Sequence, residues 1–287
     1  MNKVITRRSV VKSAVFAAGA SVAIPSLAIA ANKESNSKGS SKTISADLTD
    51  IQDLQRYDFI LPRVKYACKS GVIDYWNAKP GGDANLLREF SKVVRCKVKP
   101  ILRTNDTRPP SAFRGQLNAV VTFDQLHRLK RFPFLFMTGE SYFKLTKKQL
   151  ENLREYLYSG GFIFMDDCMA HEGQDFFFQS SLATMHEIFG EKSVKKIPLS
   201  HEIFHNVFDL SDIGLPFCWG KRRSAYGVSI GDRLVAMLSS NDLHCGWCDS
   251  KGVFLPRKGG DPPYKGPHSY RVAIKMGINM LMYAVTH

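Results

Sequence analysis

The sequence predicts an open α/β sandwich around a mainly parallel β-sheet. Short apolar runs alternate with amphipathic helical segments through most of the chain, and this alternation is typical of α/β folds. The clearest unit is central, where two continuous apolar runs, Phe134–Met137 and Phe162–Met165, flank a helical segment. Continuous apolar runs indicate strands covered on both faces, and the strand–helix–strand order predicts that the two strands are parallel.

The segment before this unit carries two predicted strands and one predicted helix. We expect strands at Phe59–Tyr66 and at Val98–Leu102. Between them, Asp83 is the predicted helix cap, because an aspartate side chain can accept a hydrogen bond from the first helical N–H groups. The apolar positions of this helix recur at helical spacing: Leu86, Leu87, Phe90 and Val94.

The central helix has signals at both ends. Thr146 and Gln149 have the spacing of a capping box, in which each side chain accepts a hydrogen bond from the other residue's backbone. Gly160 and Gly161 end the helix, since glycine adopts the left-handed conformation past a helix with least strain. The predicted buried face consists of Leu150, Leu153, Tyr156 and Leu157.

The second half of the chain continues the alternation. We expect a helix at Phe176–Phe189, a strand at Val194–Leu199 and a closing helix at Tyr270–Val285 with an apolar face. Ala225–Ile230 and Arg233–Ser239 read as a hairpin, because Gly231-Asp232 is a turn pair between two strand-like runs.

The first thirty residues have the composition of a twin-arginine signal peptide. Arg7 and Arg8 precede the apolar stretch Ala14–Ala30, which is too short and too rich in small residues for a convincing membrane span. Ala28-Ile29-Ala30 has the small-x-small pattern of a signal peptidase site, so we expect cleavage after Ala30; an uncleaved membrane anchor is the alternative. The predicted organisation is signal peptide 1–30, polar linker 31–50 and one domain 51–287 without a membrane span.

The predicted location is periplasmic, or otherwise outside the cytoplasm. Twin-arginine carriers move folded proteins, so the domain either folds quickly or acquires a ligand before export. Removing Lys3, Arg7, Arg8 and Lys12 lowers the formal net charge from +14 to +10, so the domain itself is basic. Its basic residues are scattered and accompany no nucleic-acid-binding motif, so a nucleic acid partner is not expected.

Polar side chains gather where the predicted strands end. In parallel sheets, ligands bind beyond the carboxyl ends of the strands, where the loops diverge. We therefore expect a ligand crevice for a small molecule or protein partner at this edge. The expected ligand-binding residues are Thr138, Glu140, Asp166, Asp167, Asn241 and Asp242.

Two kinds of chemistry could use this crevice. Cys168 could be a nucleophile, with His201 or His244 as its base, although adjacent carboxylates raise the pKa of a thiol. A metal site is the second alternative, with oxygen and imidazole ligands, but the spacing matches no strong metal motif and no ligand set is assigned. The residues considered for the metal are Asp166, Asp167, His171, Glu172 and His201.

Cys245-Gly246-Trp247-Cys248 is a C-x-x-C pair, preceded by His244. A thioredoxin-like role would place such a pair near the start of a strand–helix–strand unit, whereas this one follows the hairpin. One pair also falls short of a four-ligand zinc site. A structural disulfide, or two cysteines in a ligand loop, is the favoured interpretation.

Several blocks together resemble the domain-of-unknown-function family 4159. They are Phe132–Gly139, Leu153–Leu157 with Gly160-Gly161-Phe162, Asp166–Cys168, Arg63–Tyr66 with Trp76, His201–Phe204, and Asn241-Asp242 with Cys245–Trp247. The resemblance implies a flavodoxin-like, class I glutamine amidotransferase-like three-layer sandwich, and it implies no established activity. Amidotransferases use a Gly-x-Cys-x-Gly elbow and a late His-x-Glu. Cys168 lacks both glycines and His201 is followed directly by Glu202, so glutamine hydrolysis is disfavoured.

The sequence thus predicts an exported binding or accessory domain with a ligand crevice at the strand carboxyl ends. The alternative is a cysteine- or metal-dependent hydrolase that uses the same crevice. The sequence leaves the cofactor, the ligand and the question of catalysis open.

Overall fold

A computed structural model describes residues 50–68, 76–77, 80–100, 119–168, 174–218, 224–247 and 270–287. The predicted signal peptide, nearly all of the linker, and the residues His171, Glu172 and Cys248 lie outside these ranges. The strands are β1 Pro62–Val64, β2 Ala119–Val121, β3 Phe134–Gly139, β4 Phe162–Asp167, β5 Lys195–Lys196, β6 Tyr226–Ile230 and β7 Arg233–Ser239. The labelled helices are α1 Pro80–Val94, α2 Leu126–Leu129, α3 Lys147–Tyr158, α4 Phe176–Phe189 and α5 Tyr270–Thr286.

The seven strands form one sheet in the order β2-β1-β3-β4-β7-β6-β5. Strands β2, β1, β3, β4 and β7 are parallel neighbours, and β6 and β5 are antiparallel additions at one edge. The mainly parallel sheet is therefore confirmed. The central β3–α3–β4 crossover is confirmed as well, with β3 and β4 in parallel register from Phe134↔Phe162 to Gly139↔Asp167.

Helices cover both faces of the sheet, because successive side chains of a strand point to opposite faces. Phe134 and Phe136 of β3 belong to a core cluster that also contains side chains of α1 and α5. Leu135 and Met137 belong to a second cluster that contains side chains of α3 and α4. The sheet is thus the middle layer between two layers of helices.

The end signals of the central helix are confirmed. Gln149 N–H donates to Thr146 Oγ1 at 3.3 Å, and Thr146 N–H donates to Gln149 Oε1 at 3.0 Å, which completes the capping box. Gly160 follows the helix with φ +95°, a conformation that favours glycine. The hairpin β6–β7 and the helices α4 and α5 lie where the sequence places them.

Two predicted strands are shorter in the structure than in the sequence interpretation, and of a third, Val98–Leu102, the structure describes only residues 98–100. The expected strand Phe59–Tyr66 is reduced to β1 plus a single parallel bridge between Phe59 and Val98, and Val98 contributes only this bridge. The expected strand Val194–Leu199 is reduced to the two exposed residues of β5. Pro198 lacks an N–H group, so it cannot continue the ladder at this edge.

The predicted cap at Asp83 is wrong. Helix α1 begins three residues earlier, at Pro80, because proline is well tolerated in a first helical turn. The Asp83 carboxylate is fully buried and is engaged by an arginine of β1, as described below. The sequence interpretation also missed β2 and α2. None of the helices in the described parts of the chain has the length and apolar character needed to cross a membrane.

Candidate functional site

The candidate site lies at the carboxyl ends of β3, β4 and β7, which meet at one edge of the sheet. The parallel register places Thr138 beside Asp166, and Asp166 beside Ser239. The strands end in polar residues because their backbones leave the apolar sandwich at this point. The edge therefore gathers most of the residues that the sequence proposed for a crevice.

Asp166 is fully buried and links β4 to the turn after β7. Its Oδ2 accepts the backbone N–H of His244 at 2.7 Å, and Thr138 Oγ1 donates to its backbone carbonyl at 2.8 Å. Its Oδ1 has no hydrogen-bond partner among the described residues. Burial raises the pKa of the Asp166 carboxyl to about 7, and the negative charge of Asp242 adds to this rise. Asp166 is therefore a carboxyl that gains and loses its proton near neutral pH.

Asp167 points to the opposite face of the sheet, as the strand pleat requires. Its Oδ2 accepts the backbone N–H of Phe178 at 2.9 Å, in the first turn of α4. Burial raises the pKa of the Asp167 carboxyl to about 9, and repulsion from Asp166 and Asp242 adds to the rise. Its Oδ1 also has no partner within the described part of the chain. Asp167 thus stabilises the start of α4.

Two thiols and a carboxylate converge beside these acids. Cys168 follows β4 directly, Asp242 lies just beyond β7, and Cys245 opens the short 3-10 turn Cys245–Trp247. The two Sγ atoms are 3.3 Å apart, and the thiols and the Asp242 carboxylate each offer one ligand atom within 4.8 Å of the others. All three residues are buried. We call Cys168, Asp242 and Cys245 the acid–thiol cluster.

Asp242 has a positive φ of +52°, which is uncommon for a residue other than glycine. Asp and Asn tolerate this conformation better than other side chains, and such positions concentrate at functional sites. The left-handed residue turns the chain back after β7, so that Cys245 reaches Cys168 from 77 residues further along the sequence. The backbone at Asp242 therefore helps to assemble the acid–thiol cluster.

Cys168 does not stand on a strained nucleophile elbow. Its backbone N–H donates to the carbonyl of Gly139 at 2.8 Å, so Cys168 continues the hydrogen bonding between β4 and β3. Among the described residues other than glycine, those with positive φ are Arg95 and Asp242. A nucleophile elbow places its reactive residue on a sharp turn between strand and helix. The backbone at Cys168 has a different geometry.

His244 contributes its imidazole to a buried ion pair. Arg63 of β1 binds Asp83 with Nη2–Oδ1 and Nε–Oδ2 distances of 2.7 and 2.8 Å. His244 Nε2 lies 2.8 Å from Arg63 Nη2 and 3.1 Å from Asp83 Oδ1, and the Arg63 guanidinium stacks over the ring of Phe136. In the proposed Cys168–His244 dyad, His244 therefore contacts Arg63 and Asp83, and Cys168 contacts Cys245. The sequence did not identify these neighbours.

The Arg63–Asp83–His244 network lies entirely in the protein interior. Burial by itself raises the pKa of the Asp83 carboxyl. The positive charge of Arg63 and hydrogen bonds from His244 and Arg63 outweigh that effect and hold the pKa below its usual range. The network was missed because arginine in the short strand Pro62–Val64 gives no hint of a partner 20 residues away. A charged residue inside an apolar strand was nevertheless the available signal.

His201 lies near the amino end of β7, whereas the acid–thiol cluster lies past its carboxyl end. Its ring packs against Tyr283 with a centroid distance of 5.5 Å, and the Tyr283 hydroxyl accepts the N–H of Leu234 at the start of β7. From Leu234 to Ser239, the last residue of β7, the strand extends about 16 Å at about 3.3 Å per residue. The acid–thiol cluster lies beyond Ser239. The contacts of His201 thus lie at the amino end of β7, and its predicted roles as a base for Cys168 and as a metal ligand stay predictions.

The remaining predicted ligand residues have distinct positions. Thr138 is buried and bridges β3 to β4 through its hydroxyl group. Asn241 is buried too, and its backbone carbonyl accepts the N–H of Cys218 at 2.9 Å. Glu140, directly after β3, is half-buried. These three residues lie at or just after the carboxyl ends of β3 and β7 and stay predictions as ligand-binding residues.

Fold and site together define an α/β sandwich protein with a buried cluster of carboxyls and thiols at the carboxyl ends of its parallel strands. Residues 61–285 match a protein family described as "Domain of unknown function (DUF4159)". The match covers most of the chain, so the chain belongs to the DUF4159 family, as the sequence blocks indicated. No curated protein matches the chain.

Proposed function

We propose that this chain is an exported domain that binds a divalent transition metal ion of the zinc class at the acid–thiol cluster. The observation that carries the proposal is the approach of three ligand atoms, from Cys168, Asp242 and Cys245, to within 4.8 Å of one another. Zinc is bound by cysteine sulfur at about 2.3 Å and by carboxylate oxygen at about 2.0–2.2 Å. One ion of that size fits between these three atoms after small side-chain movements.

The donor set determines the metal class. Thiolate ligands select zinc and copper over magnesium and calcium, which prefer oxygen ligands only. The metal replaces the thiol protons, so the two cysteines bind as thiolates. The sequence-based metal hypothesis relied on hard oxygen and imidazole ligands, whereas the cluster favours a softer ion.

Neighbouring carboxyls support a cation at this position. Asp166 and Asp167 are buried, and each has one oxygen without a hydrogen-bond partner in the described ranges. Burial raises the pKa of both carboxyls, and repulsion from Asp242 adds to the rise. A bound cation would relieve this repulsion, because nearby opposite charge favours the ionised carboxylate.

The proposed export route agrees with a metal-loaded cargo. Residues 1–30 are proposed as a twin-arginine signal, and that pathway carries folded proteins. The cytoplasm keeps thiols reduced, so the cluster can take up its metal there before the domain leaves the cell interior. Replacing Arg7 and Arg8 with lysine should retain the protein in the cytoplasm, as cell fractionation would record. Unchanged export of this variant would contradict the proposed route.

Strand order supports the flavodoxin-like, amidotransferase-like interpretation of the fold. When the five parallel strands alone are numbered along the chain, their spatial order is 2-1-3-4-5. This is the order of flavodoxin-like sheets, whose ligands bind outside the strand carboxyl ends. The proposed metal site lies at that same edge. Fold likeness by itself assigns no reaction.

Metal analysis of the full chain tests the proposal. Protein purified without chelators should carry about one zinc-class ion per chain, and the metal-free reduced protein should be stabilised against heat by added zinc. Cys168→Ala, Cys245→Ala and Asp242→Asn should each lower the metal content. Cys96→Ala is the matched control, because Cys96 is a buried cysteine outside the cluster. Absence of bound metal, together with no thermal shift on adding zinc, would overturn the proposal.

A metal-dependent hydrolase is the second candidate function. Three protein ligands leave one tetrahedral position open, which is the pattern of catalytic zinc sites rather than structural ones. Asp166 would then be available beside the ion as a proton acceptor. Metal-loaded protein should hydrolyse an activated ester faster than the Cys245→Ala variant does. Equal rates would leave metal binding as the function and remove the hydrolase.

A further inference from the structure

We infer that Cys168 and Cys245 form a reversible intramolecular disulfide, and that this bond controls access of a metal to the acid–thiol cluster. The regulatory half of this inference rests on the proposed function, whereas the disulfide itself does not. The two Sγ atoms already contact each other at 3.3 Å, although they come from residues 77 positions apart in the chain. The two thiols can therefore meet without a rearrangement of the backbone.

The observed sulfur separation lies between the values required by the two states. A disulfide bond brings two sulfur atoms to about 2.05 Å, so they would have to approach by roughly 1.2 Å. Two cysteine ligands on one tetrahedral zinc ion are about 3.8 Å apart, given Zn–S distances near 2.3 Å. Rotation of the two side chains covers either change. The same pair of thiols is therefore compatible with both states but with only one at a time.

The proposed oxidant is hydrogen peroxide. It is a small neutral molecule, which suits thiols as buried as those of Cys168 and Cys245, at 2 % and 1 % relative exposure. One cysteine, as thiolate, attacks a peroxide oxygen, the O–O bond breaks, and a sulfenic acid and water are formed after proton transfer. The second thiol then attacks the sulfenic sulfur, which forms the S–S bond and releases a second water. Two thiols are oxidised by two electrons and one peroxide is reduced to two water molecules.

The disulfide removes both thiolate ligands from the metal, because oxidation takes the negative charge from both sulfur atoms and the thiolate is the form of cysteine that binds metal. Asp242 alone would remain of the three donors, and one carboxylate is a weak site for a zinc-class ion. Conversely, a bound metal occupies the thiolate electron pairs and slows their reaction with peroxide. Outside the cytoplasm, where disulfides persist, loss of the metal would therefore be followed by closure of the bond.

The bond would also join two separate parts of the site edge. It would link the end of β4 to the turn after β7, which is otherwise held to β4 by the Asp166–His244 hydrogen bond. A cross-link between residues this far apart restricts the unfolded chain. The oxidised protein should therefore melt at a higher temperature than the reduced, metal-free protein.

Peptide mapping of the full chain tests the disulfide directly. The metal-free protein is reduced, treated with hydrogen peroxide and digested without reductant. We expect a Cys168–Cys245 linked peptide and a mass loss of about 2 Da, since two hydrogen atoms are removed. Cys96→Ala should behave as the wild type. A map with no such peptide, or with both cysteines converted to sulfinic acids, would overturn the inference, and this reading needs no variant to fold.

Zinc titration of the reduced and the oxidised protein tests the regulatory half. The reduced protein should bind about one zinc ion, the oxidised protein should bind at least tenfold more weakly, and prior zinc loading should slow disulfide formation. Equal zinc affinity in both states would overturn the regulation. If the reduced protein binds no zinc while the linked peptide forms, the metal proposal fails and the disulfide stands, so the two failures are distinguishable.

Discussion

Replacing Asp83 with alanine should destabilise the protein far more than loss of a surface ion pair. Arg63 and Asp83 are both completely buried and are joined by two hydrogen bonds of 2.7 and 2.8 Å. Asp83→Ala would leave the Arg63 guanidinium charged and without its carboxylate in the protein interior. Breaking a buried pair in this way costs about 3–5 kcal/mol of the free energy of unfolding. Chemical denaturation of the reduced, metal-free protein at neutral pH measures that loss.

Two further variants separate the charge effect from simple loss of contacts. Replacing both partners, as Arg63→Met with Asp83→Leu, removes the uncompensated charge and should restore part of the lost stability. Glu89→Ala removes the exposed pair with Lys92 on the same helix and should cost less than about 1 kcal/mol. A double variant that is less stable than Asp83→Ala, or an Asp83→Ala loss no larger than that of Glu89→Ala, would refute the reasoning.

The same ion pair predicts a pH dependence. The pKa of Asp83 is held below its usual value in the folded protein, so the unfolded carboxyl takes up its proton first as the pH falls. The stabilisation is therefore present above pH about 4 and is lost at lower pH. The stability difference between wild type and Asp83→Asn should shrink as the pH falls below 4. A difference that stays constant from pH 7 to pH 3 would contradict this assignment.

Three other substitutions probe the site turn, a control turn and a helix cap. Gly246→Ala would place a Cβ atom 2.3 Å from Cys218 Sγ and 2.6 Å from Ala273 Cβ, so it should displace the Cys245 turn and lower both melting temperature and zinc content. Gly231→Ala meets no atom within 4 Å and should leave zinc content unchanged; equal zinc content in the two variants would speak against a role for the turn. Thr146→Ala removes the capping box and should cost about 1 kcal/mol in denaturation, whereas a loss near zero would show that solvent replaces the cap.

Local signals were sufficient for the central part of the fold. The capping box at Thr146, the glycines after α3 and the apolar runs of β3 and β4 act over a few residues, and each predicted the structure correctly. The hairpin turn at Gly231 is equally local. Such patterns depend on backbone conformation and on which face is buried, and both are encoded in neighbouring residues.

The composition of the site depended on contacts between distant residues. Sequence reasoning correctly gathered Cys168, Asp166 and Asp242 at one edge, because parallel strands end together. It considered Cys245 together with Cys248, as a structural disulfide or as two cysteines of a ligand loop, whereas the structure places the Cys245 thiol against Cys168. It also grouped His201 with these residues, whereas the strand before His201 is only two residues long and its ring packs against Tyr283 of α5. Spacing along the chain contains no information about such tertiary packing.

The two adjacent carboxyls at the tip of β4 give the site influence over both helical layers. Asp166 holds the backbone of the Cys245 turn on one face, and Asp167 holds the first turn of α4 on the other. The tip of β4 thus fixes a buried turn on one face of the sheet and the start of a helix on the other.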